Sequence, residues 1–116
     1  MSKLPVTIEW SQAAAAALRN VGSRTVQQKI AQKVLDVAAS PDPEQLGKPL
    51  QDELRGLFRI SFGRCRILYH VRREMTRDGR EITRMIVRVV LLGIRKHGDK
   101  IDVYELARRL KRQGRL

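Results

Sequence analysis

Apolar positions in this chain follow two different periods, and the change falls near the middle. Val6 to Trp10 (VTIEW) is a short β-branched and aromatic run after Pro5 and predicts a first strand. Ser11 is placed to cap an alanine-rich helix from Gln12 to about Asn20, which Gly22 and Ser23 break. Val26, Ile30, Val34 and Val37 then recur at helical spacing, so a second helix is expected from about Thr25 to Ala39, with Thr25 and Gln28 as a capping box. Together the two helices predict an α-hairpin with one buried face. Ser40 to Pro49 (SPDPEQLGKP) carries three prolines and a glycine and reads as a connection without a regular element.

From Leu57 the period is two. Leu57 to Phe62, Cys65 to Val71 and Arg84 to Leu92 read as strands, with Gly63-Arg64 as one turn and Arg77 to Arg80 as the tip of a second hairpin. With Gly63 and Arg64 as the loop, Phe62 faces Cys65, Ser61 faces Arg66 and Arg59 faces Leu68. One side of the ribbon then holds Phe58, Ile60, Phe62, Cys65, Ile67, Tyr69 and Val71. The other holds Leu57, Arg59, Ser61, Arg66, Leu68 and His70. That separation supports the register and predicts that the first side packs on the helices while the second stays open. In the third strand both alternating sets are apolar except for Arg88, so it is expected to be central, with a bulge or odd-length loop that keeps Arg88 out of the core. A final helix is expected from about Val103 to Arg112, with Lys111 and Arg112 near its negative end. The expected class is α+β: a small, mainly antiparallel (mixed) sheet with an N-terminal α-hairpin on one face and a short C-terminal helix.

The 116 residues suit one domain, taken as 1–116. No apolar run reaches the roughly 18–20 residues of a membrane span, and no basic-then-apolar leader opens the chain; a cytoplasmic location without membrane contact is expected. The single cysteine, Cys65, excludes an internal disulfide framework and a cysteine-based zinc cluster. Charge changes the picture more. The net charge is +12, and all of it lies after residue 54: residues 1–54 hold six basic and six acidic side chains, and residues 55–116 hold eighteen basic and six acidic. Fifteen of those eighteen are arginine, whose planar fork fits phosphate or carboxylate oxygens. Such a half-molecule expects a polyanion as partner.

No nucleotide-binding glycine loop, paired-histidine motif or Gly-x-Ser-x-Gly elbow is present, so no cofactor or metal is expected. What remains is a set of basic and phenolic groups: Arg59, Ser61 and Arg66 on the open face, Arg95 and His97 after the third strand, and Tyr104 opening the last helix. Such groups suit RNA cleavage without a metal. A base takes the proton of the ribose 2′-hydroxyl, an acid protonates the departing 5′-oxygen, and cations stabilise charge on phosphorus. Histidine suits the first two roles and arginine the third. Ser61, Arg88 and Lys96 are the expected RNA contacts beside this set. Singly, each arginine reads as an ordinary solvated side chain. His70, Tyr69 and Cys65 read as structural.

The stretch from Gly47 to Val71 (GKPLQDELRGLFRISFGRCRILYHV), followed by Val87 to Leu110 (VRVVLLGIRKHGDKIDVYELARRL), resembles the RelE/ParE superfamily of toxins from bacterial type II toxin–antitoxin modules. Gly56-Leu57-Phe58-Arg59, Gly63 to Tyr69, and Arg95 with Tyr104 carry the likeness, which extends over nearly the whole chain. It implies a microbial-RNase-like fold, a cognate acidic antitoxin, and one of two activities. RelE-like members cut mRNA on the ribosome; ParE-like members poison DNA gyrase without catalysis. On the first reading, Arg59, Arg66 and Arg95 match basic residues near the scissile phosphate, and Tyr104 matches a stacking or proton-transfer tyrosine. Ser61 stands where a RelE-like toxin often has lysine, and His97 is the candidate that compensates.

Overall fold

The protein is described by a computed structural model over residues 4–94 and 103–116. Strand β1 (Val6–Trp10) leads through Ser11 into α1 (Gln12–Arg19). Ser11 caps α1 as its spacing predicts: its hydroxyl accepts from the Ala14 N–H at 3.0 Å and donates to the Val90 carbonyl at 2.6 Å, fixing the helix to the sheet. Helix α2 (Arg24–Ala39) is capped two residues earlier than the Thr25–Gln28 box would place it. The Ser23 hydroxyl takes the Val26 N–H at 3.3 Å, because Gly22-Ser23 already provides the extended residue that a cap requires. The stripe Ile30, Val34 and Val37 is buried, as its period dictates.

The proline-rich stretch departs from the expectation of an irregular connection. It folds into a one-turn helix, α3 (Pro43–Leu46), and a two-residue strand, β2 (Lys48–Pro49). Pro43 occupies the first helical turn, where a missing N–H costs nothing. The buried Tyr69 hydroxyl donates to the Pro43 carbonyl at 2.7 Å and so ties α3 to the sheet. Gly47 is required at this junction: a Cβ there would run into the Tyr69 hydroxyl and lie 3.0 Å from the Arg59 carbonyl.

Strands β3 (Phe58–Phe62), β4 (Cys65–Met75) and β5 (Ile82–Ile94) complete a five-stranded sheet in the order β1-β5-β4-β3-β2. The pairs Phe62–Cys65, Ser61–Arg66 and Arg59–Leu68 are those the Gly63-Arg64 loop dictates. β1 runs parallel to β5, with the helices and then β2, β3 and β4 between them in the chain, so the sheet is mixed and β5 is central. The bulge expected in β5 lies opposite Leu68 and Tyr69, where Leu68 pairs with Leu91 and Tyr69 with Val89, leaving Val90 as the extra residue. Val87, Val89 and Leu92 thereby join the layer under the α-hairpin, while Val90 and Leu91 turn to the opposite face. Arg88 stays half-exposed beside Glu9.

That opposite face is only partly open. Helix α4 (Val103–Arg112) covers Leu57, Leu68, Val90 and Leu91 with Val103, Ala107 and Leu110, forming a second core with Leu54. The pattern of β3 and β4 alone left Leu57 and Leu68 on solvent. They are buried because α4 is strongly one-sided, and each such side chain stabilises the packed state by roughly 1.5–3 kcal/mol. Beyond α4, β4 and β5 outrun their neighbours as a two-stranded ribbon turning between Met75 and Ile82. No described helix is long and apolar enough to cross a membrane.

Candidate nucleic-acid interface

Arg59 is the hub of the basic cluster. β3 holds it between Lys48 of β2 and Leu68 of β4, and directly paired residues project from the same side of a sheet. Its Nη1 donates to the Tyr104 Oη at 3.1 Å, linking the sheet edge to the first turn of α4. A phenol has one proton to give and lone pairs to share. By accepting from Arg59, Tyr104 is oriented with its own proton left for another acceptor. Gly93 permits this approach: a Cβ there would meet the Val103 Cβ at 3.3 Å.

Ser61 and Arg66 face each other across the β3–β4 hairpin. The Arg66 guanidinium folds back over the turn, its Nη1 donating to the Gly63 carbonyl at 2.9 Å and the Cys65 carbonyl at 3.3 Å. Its buried Nε has no acceptor among the described residues, so part of the donor fork is unused.

Two clefts meet at Arg59 and Lys48. The larger, about 500 Å³, runs along the edge of β3 and is lined by Lys33, Asp36, Lys48, Arg59, Ser61 and Arg66, with the apolar side chains of Val37 and Ile60 and the exposed Leu46. The smaller, about 300 Å³, lies between Tyr104, Arg59 and the Lys48–Gln51 segment. Arg59, Ser61, Arg66 and Tyr104 are thus brought together, as the shared face of the hairpin and the position of Tyr104 suggest. Arg88 is not among them. It pairs with Glu9 at 3.3 Å and stands opposite His70 on β4. Burial, then the charges of Arg88 and Arg72, hold the His70 pKa below its usual value, in keeping with a structural imidazole. Arg95, Lys96 and His97 lie outside the described residues. Lys33 and Lys48 escaped the sequence reading. Lys48 lies in a segment whose prolines predict an irregular connection, and Lys33 on the polar side of α2; the Gly47-Lys48-Pro49 step beside Arg59 becomes a signal only once β2 is known.

An α+β domain with a mixed sheet, an α-hairpin on one face and a cationic cleft at the free edge is the class that fold and site define. Residues 8–91 match the family described as ParE toxin of type II toxin-antitoxin system, parDE. The chain belongs to this family, within the RelE/ParE superfamily that the Gly56–Tyr69 motif suggests, and is a toxin of a type II toxin–antitoxin system. Among solved structures, the toxin–antitoxin complex RelBE2 from Mycobacterium tuberculosis shares the fold, with a TM-score of 0.56 and 22% identity over 79% of this chain and 100% of that one. No curated protein matches the sequence.

Proposed function

We propose that this toxin is a metal-independent, ribosome-dependent mRNA endoribonuclease that blocks translation. The observation that carries the reading is the Arg59–Tyr104 hydrogen bond in an open cleft lined by Lys48, joined at Arg59 to the larger cleft that holds Arg66. It pairs an oriented proton donor with cations, as metal-free transesterification requires. In the proposed reaction the 2′-oxygen bonds to phosphorus as the bond to the 5′-oxygen breaks, leaving a 2′,3′-cyclic phosphate and a 5′-hydroxyl. The 2′-proton passes to a base, for which His97 is the candidate. Tyr104 gives its proton to the departing oxygen and regains one from water. Arg59, Arg66 and Arg95 neutralise the charge that grows on the phosphoryl oxygens.

The test is controlled expression with mapping of mRNA 5′ ends. Cleavage at codon boundaries that disappears in Tyr104→Phe and Arg59→Ala supports the reading. The matched ParE family favours a second reading, a DNA gyrase inhibitor acting by protein contact alone. Growth arrest with an SOS response and intact mRNA would establish that one instead.

A further inference from the structure

The larger cleft continues past the residues given a chemical role above, and its extension is cationic. The pairing of β2 with β3 stops at Lys48–Arg59, so among the described residues no strand covers the edge of β3 beyond Arg59. In an antiparallel ladder alternate residues turn their main-chain groups to opposite sides. Arg59 pairs outward with Lys48, so the Ser61 N–H and carbonyl face the same way, into the cleft. Around that edge stand Lys33 on α2, Lys48 on β2, and Arg59 and Arg66, against one carboxylate, Asp36, which accepts from the Gln32 side chain at 2.9 Å.

The distribution of ion pairs sharpens the contrast. Glu9 pairs with Arg72 and Arg88, Glu44 with Arg73, Glu74 with Arg84, and Glu53 with Arg112. Among the described residues none of Lys33, Lys48, Arg59 and Arg66 has a carboxylate within ion-pair distance. Carboxylates therefore answer most arginines of the ribbon and two of α4, while the four cations of this cleft share only Asp36, which makes no ion pair with them. Leu46, 54% exposed, adds an apolar surface at the same rim.

We propose that Lys33 and Lys48 form a phosphate rail for single-stranded RNA: the strand enters beside Tyr104, passes Arg59 and Lys48, and turns around the β3 edge toward Lys33. This rests on the ribonuclease reading and adds to it a path for nucleotides next to the scissile phosphate. Ser61 supplies a hydroxyl and an N–H to the backbone at the corner, and Leu46 offers a face to an unstacked base. Lys33 and Lys48 are positioning residues.

The test uses the full chain and a fluorescent, 2′-O-methylated single-stranded RNA, which binds but cannot be cleaved. Anisotropy titrations over a range of salt give the slope of log affinity against log salt, which changes by about 0.7 per phosphate contact on a single strand. Lys33→Ala and Lys48→Ala are each expected to flatten the slope by about that amount. Lys29→Ala, one turn along α2 and outside the cleft, removes the same charge and is expected to leave the slope unchanged. Equal slopes for Lys29→Ala and Lys33→Ala would overturn the rail and leave the ribonuclease reading standing. No binding by the unaltered protein at low salt would also overturn it. Rail-dependent binding in a protein that cuts no mRNA on expression would keep the groove and remove the ribonuclease reading.

Discussion

Replacing Tyr69 with phenylalanine removes one oxygen from the centre of the fold. The Tyr69 side chain is 1% exposed, its ring lies 5.8 Å from that of Phe58, and its hydroxyl donates to the Pro43 carbonyl at 2.7 Å. The substitution keeps the ring packing, so the loss is confined to the polar contact. Pro43 is itself buried, so its carbonyl is left unsatisfied rather than returned to water. A buried group orphaned in this way costs about 1–3 kcal/mol. Tyr69→Phe is therefore expected to lower the unfolding free energy by that amount in urea titrations at neutral pH, with an unchanged m-value. A second signature depends on pH. Burial, and then the negative charge of Glu44, push the Tyr69 pKa from 10 up to about 12, while the Gly47 main chain pulls weakly the other way. The folded state thus resists losing this proton more than the unfolded chain does. The resulting stabilisation is complete below pH 10 and is lost as pH rises toward 12, up to about 3 kcal/mol in all. The advantage of the unaltered protein over Tyr69→Phe should shrink across that window, since all other titrations are common to both. A variant as stable as the parent at neutral pH, or a difference that does not change between pH 9 and 12, would refute the reasoning.

Arg66→Ala and Arg59→Ala are expected to slow mRNA cleavage about 10²–10³-fold, as for loss of a donor to a transition-state oxyanion, with lysine rescuing poorly because it lacks the fork. Arg109→Ala, on the exposed face of α4, should alter only RNA affinity, and quantified cleavage products after induction compare the three. Gly47→Ala forces the α3–β2 junction away from Tyr69 and Arg59, and thermal unfolding should show a loss of about 1–3 kcal/mol. His70 should titrate below 6.5 by NMR; because its folded pKa is depressed, its contribution to stability is present above pH 6.5 and declines as pH falls through that value. Antitoxin association should slow steeply with salt, as expected for an acidic partner steered to a chain of net charge +12, and stopped-flow rates at two ionic strengths test this.

Much of the fold was legible because its signals are local. The clean split of apolar residues about Gly63-Arg64 left one register for β3 and β4, and Ser11 could cap only the alanine helix. The bulge in β5 followed from a conflict visible in the residues: both faces of the strand are apolar, yet Arg88 cannot be buried. α3 and β2 were hidden because they are one turn and one residue pair long, held by a distant Tyr69 hydroxyl rather than by periodicity. The covered half of the second face was hidden for a related reason. Leu57 and Leu68 require α4 as a lid, and nothing in the β pattern says where a later helix will lie.

The candidate site shows how a charge count along the chain differs from one in space. Residues 1–54 are neutral in sequence, so the linear charge pattern points to the second half alone. In the folded protein the carboxylates of Glu9, Glu44 and Glu53 reach across to Arg72, Arg88, Arg73 and Arg112 of that second half. Exposed pairs of this kind add little stability. They do redistribute charge: they quiet the arginines around the ribbon and α4, and they leave two lysines of the first half beside Arg59 and Arg66. A polyanion approaching the free edge of β3 therefore meets four cations with no carboxylate in ion-pair contact among the described residues. That edge is also where Arg59 orients Tyr104, so the field that gathers a ligand and the groups proposed to act on it converge on one strand.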